Sequence, residues 1–246
     1  MASARTVIIT GASSGIGLAL AESYLKRGDN VVGNARTMAR LQEAAASLGN
    51  PENFLLVDGD VGRPETARTL FDRAIAAFGK VDILIANAGI FIGKPTVEFT
   101  EEDVNSIIDT NLKGFFYPAQ AAVAHMKPNG SGHIIAITAC IAMQPNAKLP
   151  ALMTAIVKGG LNQAVKALAI EMGNSGVQVN AVAPGIIDTP MLPDDEETWA
   201  FLRTFAPNGR TGVPQDVVDA VMYLTDSTYV TGSIMTVDGG STAGTW

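Results

Sequence analysis

The sequence predicts an α/β fold, a doubly wound domain in which a parallel sheet of seven strands is flanked by helices on both faces. Three observations carry this prediction. Short apolar, β-branched runs alternate with helical stretches along the whole chain. A glycine-rich turn joins the first apolar run to the first helical stretch. The length, 246 residues, suits one continuous core, and no linker divides it, so residues 1–246 read as one domain.

The strands are expected at Val7–Ile9, Val31–Val32, Phe54–Val57, Ile83–Ala86, Ile134–Ile137, Val177–Val182 and Ile234–Val237. These runs are apolar at successive positions, as strands covered on both faces require. Helices are expected over residues 15–27, 37–48, 64–78, 100–111, 112–126, 150–173 and 215–226. Pro64 and Pro214 suit helix starts, where the missing N–H has no partner to lose. The connection 184–213 is exceptional, because it holds Pro184, Pro190, Pro193 and Pro207 together with Met191, Leu192, Trp199, Phe201, Leu202 and Phe205. Long irregular connections in compact domains often cover a site, so a lid is expected over about 186–210. The run Asp194–Glu197 suits the solvated start of a helix within it, where acidic groups favour the dipole.

Composition excludes several functions. A formal charge of −7 and a pI near 4.8 oppose a basic surface, and no Lys/Arg run follows a phosphate backbone, so nucleic acid is not an expected partner. No apolar run approaches the roughly 18 residues of a membrane span. Met1–Arg5 lead into the first strand without the apolar stretch of a signal peptide, and a cytoplasmic location is expected. With Cys140 alone and only two histidines, no disulfide or metal site is expected.

The chemistry begins at Thr10-Gly11-Ala12-Ser13-Ser14-Gly15-Ile16-Gly17. Glycines at 11, 15 and 17 permit a sharp turn and a close backbone approach, while free N–H groups at a helix start attract anionic oxygens. Taken alone, the spacing G-x-x-x-G-x-G also fits a turn that holds no ligand.

Further pieces follow in order: Asp60-Val61, Asn87-Ala88-Gly89, Asn111 before Leu112-Lys113-Gly114, and Asn180-Ala181-Val182-Ala183-Pro184-Gly185 leading to Thr189. With these, the chain from Thr6 to about Ser241 resembles the short-chain dehydrogenase/reductase family and its Rossmann-type fold. The resemblance implies a nicotinamide dinucleotide on the turn Gly11, Ser13, Ser14, Gly15, Ile16 and Gly17. It also implies that Asp60 and Val61 flank the adenine and that Asn87, Ala88 and Gly89 line the cofactor channel. Pro184, Gly185, Ile187 and Thr189 then contact the nicotinamide end. Asp60 equally suits a turn cap, and Asn87-Ala88-Gly89 a strand end.

Beyond the second strand the chain reads Ala35-Arg36, where NAD-preferring relatives carry an acid for the ribose 2′-OH. A guanidinium pairs instead with a 2′-phosphate, so NADP(H) is expected over NAD(H). The alternative places Arg36 on the solvated start of the next helix, with Arg40 on the same face.

The resemblance departs at the catalytic positions. The family uses a strand-end Ser, a Tyr four residues before a Lys, and an Asn. Here Lys158 follows Thr154 by four residues, Ala139 is the best match to the serine, and Asn111 remains. An aliphatic hydroxyl lacks the acidity and the reach of a phenol. The segment Met143 to Pro150 is about two residues longer than the family pattern, and the neighbours Thr138 and Cys140 face away from Ala139 in a regular strand. Gln144, Asn146 and Lys148 form no recognised pair with a histidine; His125 and His133 read as structural, and Cys140 as a small buried side chain.

The resemblance therefore implies hydride exchange between NADP(H) and a carbonyl or alcohol, with Lys158 and Asn111 positioning cofactor and water and the proton coming from solvent or an unusual group. The rival readings are a cofactor-binding protein without redox turnover, acting as sensor, partner subunit or scaffold, and a non-redox enzyme in the same pocket. Thr154 and Ala139 are expected to leave that pocket enlarged and apolar. The apolar residues at 191–205 suggest an apolar small-molecule substrate, or equally the packing of a lid. A homotetramer is also implied, through helices Asn111–Met126 and Pro150–Gly173 and the tail Val237–Trp246. Ala119, Ala122, Ala151 and Ala155 are candidates for close helix contact, between subunits or within one.

Overall fold

A computed structural model describes residues 4–192 and 195–244. Pro193 and Asp194 of the expected lid, and Thr245 and Trp246 of the expected contact tail, lie outside the described residues, as do Met1–Ser3. The chain alternates as β1 (Thr6–Thr10), α1 (Gly15–Lys26), β2 (Asn30–Ala35), α2 (Met38–Ser47), β3 (Phe54–Asp58), α3 (Pro64–Phe78) and β4 (Ile83–Ala86). The second half holds α4 (Glu101–Ile107), α5 (Gly114–Asn129), β5 (Gly132–Ile137), α6 (Leu152–Met172), β6 (Val177–Pro184), α7 (Glu196–Arg203), α8 (Pro214–Asp226) and β7 (Ile234–Val237).

All seven strands pair in parallel in the order β3-β2-β1-β4-β5-β6-β7. The period-two geometry of a strand divides each apolar run between two cores. Ile8, Val32, Leu84 and Ile134 face a layer built on Leu70, Met126, Leu161 and Val165. Val7, Ile9, Ile83 and Ile135 face another, built on Leu20, Tyr24, Val217 and Val221. Each such side chain contributes about 1.5–3 kcal/mol by leaving water, so the alternation itself fixes the register. The strand order reverses between β1 and β4, which opens a crevice at the carboxyl ends of those strands.

Two elements, β2 and the junction of α4 with α5, differ from expectation for local reasons. β2 runs to Ala35 because Gly33 leaves space for the Phe54 ring, while the buried Asn34 amide donates to Val57 O and Gly59 O, each at 3.1 Å. The two helices expected to meet at residues 111 and 112 are joined by a π-helical turn, Ile108–Lys113. The connection after β6 contains α7, whose Asp195 caps it by accepting from Thr198 N at 2.8 Å, as the acidic run suggested. Ala119, Ala122 and Ala151 are buried within the subunit, so they form no surface stripe; the exposed apolar side chains nearby are Leu112, Phe116, Leu152 and Ile156.

Candidate functional site

The glycine turn is held from behind by β4. Thr10 Oγ1 accepts from Asn87 N and Ala88 N, each at 3.0 Å, and the Asn87 amide donates to Thr10 O at 2.9 Å and Gly11 O at 3.3 Å. A Cβ at Gly17 would overlap Gly11 O and stand 2.7 Å from the Asn87 amide nitrogen, so a side chain at 17 is excluded by packing inside the turn. Gly15 adopts φ +53° and faces Thr189, bringing the loop after β6 over the start of α1. Thr10 is a residue that sequence reasoning passed over; its place at a strand end before glycine was the available signal.

This terminus suits an anionic group. Ser14 is extended and makes no side-chain cap, and the first turn of α1 carries no acid, so its backbone donors are not met by a capping side chain. Arg36 is exposed directly beyond β2, and no carboxylate lies within ion-pair distance of it among the described residues. Asp60 caps its own turn, accepting from Gly62 N at 2.9 Å, and Val61 is buried against Gly114. Gly185 lies against Asp238. The Ile187 side chain is committed to the core beside Gly212, which leaves its backbone for any ligand.

Asn111 and Lys158 come together on either side of Gly89. A Cβ there would stand 2.7 Å from Asn111 Oδ1 and 3.3 Å from Lys158 Nζ. The π-helical turn points Asn111 at the backbone of Ile90, donating to Ile90 O and accepting from Ile90 N at 3.0 Å each. Ile90 is a second partner that sequence reasoning passed over, since the pairing is non-local. Lys158 is 7% exposed and donates to Ile137 O at 2.8 Å; burial pushes its ammonium down to about 8 from the usual 10.5.

Thr154 lies on the buried helix face that it shares with Lys158. It is 2% exposed, and its hydroxyl has no hydrogen-bond partner. Thr154, Val157, Lys158 and Leu161 form one buried face of α6. Ala139 stands past the end of β5, extended and half-buried, ahead of a short 3-10 turn at Cys140–Ala142. Thr138 is turned away toward Val182 O, and burial pushes the Cys140 thiol up to about 11, so neither takes the place of Ala139. His125 Nε2 accepts from Val81 N at 3.1 Å. Burial lowers the proton affinity of His133, which lies at the amino end of β5, far along the strand from the crevice. Among the described residues no group of His, Cys, Asp or Glu has metal-site geometry, and no helix is long and apolar enough to cross a membrane.

A cavity of about 300 Å³ lies elsewhere, bounded by Leu202, Phe205, Asn208 and the Gly239–Ser241 turn. It adjoins α7 rather than the glycine turn. Met191 and Phe201 of the expected lid are exposed, while Leu202 and Phe205 pack inward.

A doubly wound sheet with a glycine turn at its switch point defines a nucleotide-binding α/β protein. The family model described as Enoyl-(Acyl carrier protein) reductase matches residues 11–242, and this chain belongs to the short-chain dehydrogenase/reductase family. It is similar to 3beta-hydroxysteroid dehydrogenase 1 of Eggerthella lenta, 34% identical over 252 aligned positions that cover 97% of this chain and 94% of that protein. Among solved structures, ElxO with NADP bound is 26% identical with a TM-score of 0.92, covering 98% of this chain and 100% of that one. The 3-ketoacyl-(acyl-carrier-protein) reductase of Brucella melitensis, complexed with NADH, is 28% identical with a TM-score of 0.90, covering 97% and 98%.

Proposed function

We propose that this chain is an NADP(H)-dependent oxidoreductase acting on a carbonyl or alcohol, with Thr154 and Ala139 standing where the family carries its proton-handling Tyr and Ser. The observation that supports it best is the meeting of Asn111, Gly89 and Lys158 beyond the glycine turn. When bound, the nicotinamide supplies hydride exchange with the substrate carbon. The chain's own part is binding and orientation. The α1 terminus and the Ser13-Ser14 turn hold the phosphates, Arg36 holds the 2′-phosphate, and the loop from Pro184 to Thr189 faces the nicotinamide end. Lys158 stands beside Asn111 at Gly89, with a proton that burial has loosened. Lacking a phenol, the site works more slowly than its relatives, by the ~10²–10⁴-fold that a general acid contributes.

Thr154 favours a second reading, a cofactor-binding protein without redox turnover, because an aliphatic hydroxyl lacks the acidity to serve as the general acid. NADPH consumption across a panel of ketones and aldehydes separates the two. Slow turnover lost in Lys158→Met supports the first reading, and binding without any turnover supports the second. A subunit association into tetramers and an apolar substrate belong to the same proposal, resting on exposed Phe116 and Ile156 and on exposed Met191 and Phe201 respectively.

A further inference from the structure

Helix α7 is weakly seated. Of its eight residues only Leu202 is buried, and the 300 Å³ cavity lies along its inner side. The turn that follows β7 provides what the core does not. Asp238 shapes that turn, accepting from Gly240 N at 3.0 Å and from Thr242 N and Oγ1 at 2.9 and 2.7 Å. Ser241 Oγ lies 2.6 Å from Phe205 O and 2.8 Å from Asp238 O, so its one proton ties the turn to the end of the α7 segment or back on itself. Asn208 N donates to Gly239 O at 3.3 Å. Gly239 and Gly240 have φ of +63° and +92°, and a Cβ on either would collide with Asn208 or Pro207.

The same turn reaches the segment that follows β5. Gln144, inside the lengthened segment Met143 to Pro150, donates from Nε2 to Gly244 O at 3.1 Å. Gly185 packs on Asp238 and donates its N–H to Val237 O at 2.9 Å, which joins the loop after β6 to the same point.

We propose that the turn Asp238–Gly244 is a strap that couples helix α7 to the segment Met143 to Pro150, so that the two segments loosen together. The strap is read from contacts alone and stands apart from the oxidoreductase reading above. Removing the Ser241 hydroxyl releases Phe205 O, and the looser turn then relaxes its hold on Gln144 as well.

Hydrogen exchange of the cofactor-free protein tests this. In Ser241→Ala, amides of α7 and of the segment 143–150 should both exchange about five- to tenfold faster, the factor expected from one lost hydrogen bond. Exchange in β1 and α1 should not change, and Ser241→Thr, which keeps the hydroxyl, should restore both segments. Gln144→Ala should loosen α7 in the same direction. The strap is overturned if Ser241→Ala leaves α7 at the wild-type rate, loosens α7 without segment 143–150, or loosens every element alike. NADPH titration of the same variant keeps the two proposals apart. Unchanged affinity with faster α7 exchange is the expected pattern, whereas absence of NADPH binding in the wild type counts against the oxidoreductase reading and not against the strap.

Discussion

Lys158 concentrates the physical tension of the site. A lysine ammonium held by one carbonyl, at 2.8 Å, and otherwise buried is less stable than in water, and its lowered affinity for the proton has a direct consequence for folding. Below about pH 8 the residue is charged both folded and unfolded, so the burial cost is present in full; between about 8 and 10.5 the folded chain releases the proton first and stability is regained. Lys158→Met should therefore be the more stable protein at neutral pH, by up to roughly 3 kcal/mol, with the advantage shrinking toward pH 10.5. Urea denaturation of both proteins across that range measures it, and an advantage that grows with pH would contradict the assignment. Thr154 gives the companion test. Its buried hydroxyl has no partner, so Thr154→Val should be neutral or stabilising by about 1 kcal/mol, while Thr154→Tyr should overpack and lose about 1–3 kcal/mol in the same assay. The spacing of Thr154 and Lys158 on one helix face was legible in the sequence, but the burial of the Thr154 hydroxyl without a partner was not. That burial depends on how the whole buried face of α6 packs, which no local pattern encodes.

At the scale of elements, the strands were legible because apolar β-branched runs are what a sheet covered on both faces needs, and the glycine turn because its spacing serves backbone geometry. The π-helical turn between α4 and α5 was only half legible. The expected helix boundary between residues 111 and 112 falls inside it, but the partner of Asn111, Ile90, lies 21 residues earlier, and a hydrogen bond over that separation leaves no trace in sequence periodicity. The turn keeps its widened form because Asn111 clamps both polar groups of Ile90. Asn111→Ala should cost about 1–3 kcal/mol by leaving those groups without partners, and Asn111→Asp, which keeps the acceptor, should cost less than the alanine. Thermal unfolding decides between this and a merely local role, in which the two variants would behave alike. The start of helix α7 was legible in the acidic run Asp194–Glu197, but its extent was not, because prolines and glycines on both sides mask a short amphipathic stretch.

For the molecule as a whole, charge and surface set the remaining expectations. Exposed Leu112 and Phe116 stand one turn apart, as do Leu152 and Ile156, and these apolar pairs flank helices α5 and α6. If that face joins subunits, the wild type should scatter light as a tetramer, and the double change Phe116→Glu and Ile156→Glu should yield smaller species with unchanged secondary structure; a monomeric wild type at micromolar concentration would reject it. The glycine turn, the bare α1 terminus and exposed Arg36 together make the central claim, that the crevice at the switch point is built for a 2′-phosphorylated dinucleotide. Calorimetric titration with NADPH and NADH, in the wild type and in Arg36→Ala, tests it most directly. The account predicts tighter binding of NADPH, with a selective loss of about 1–3 kcal/mol in the variant that leaves NADH affinity in place. Equal or tighter binding of NADH by the wild type, or no binding of either, would contradict it.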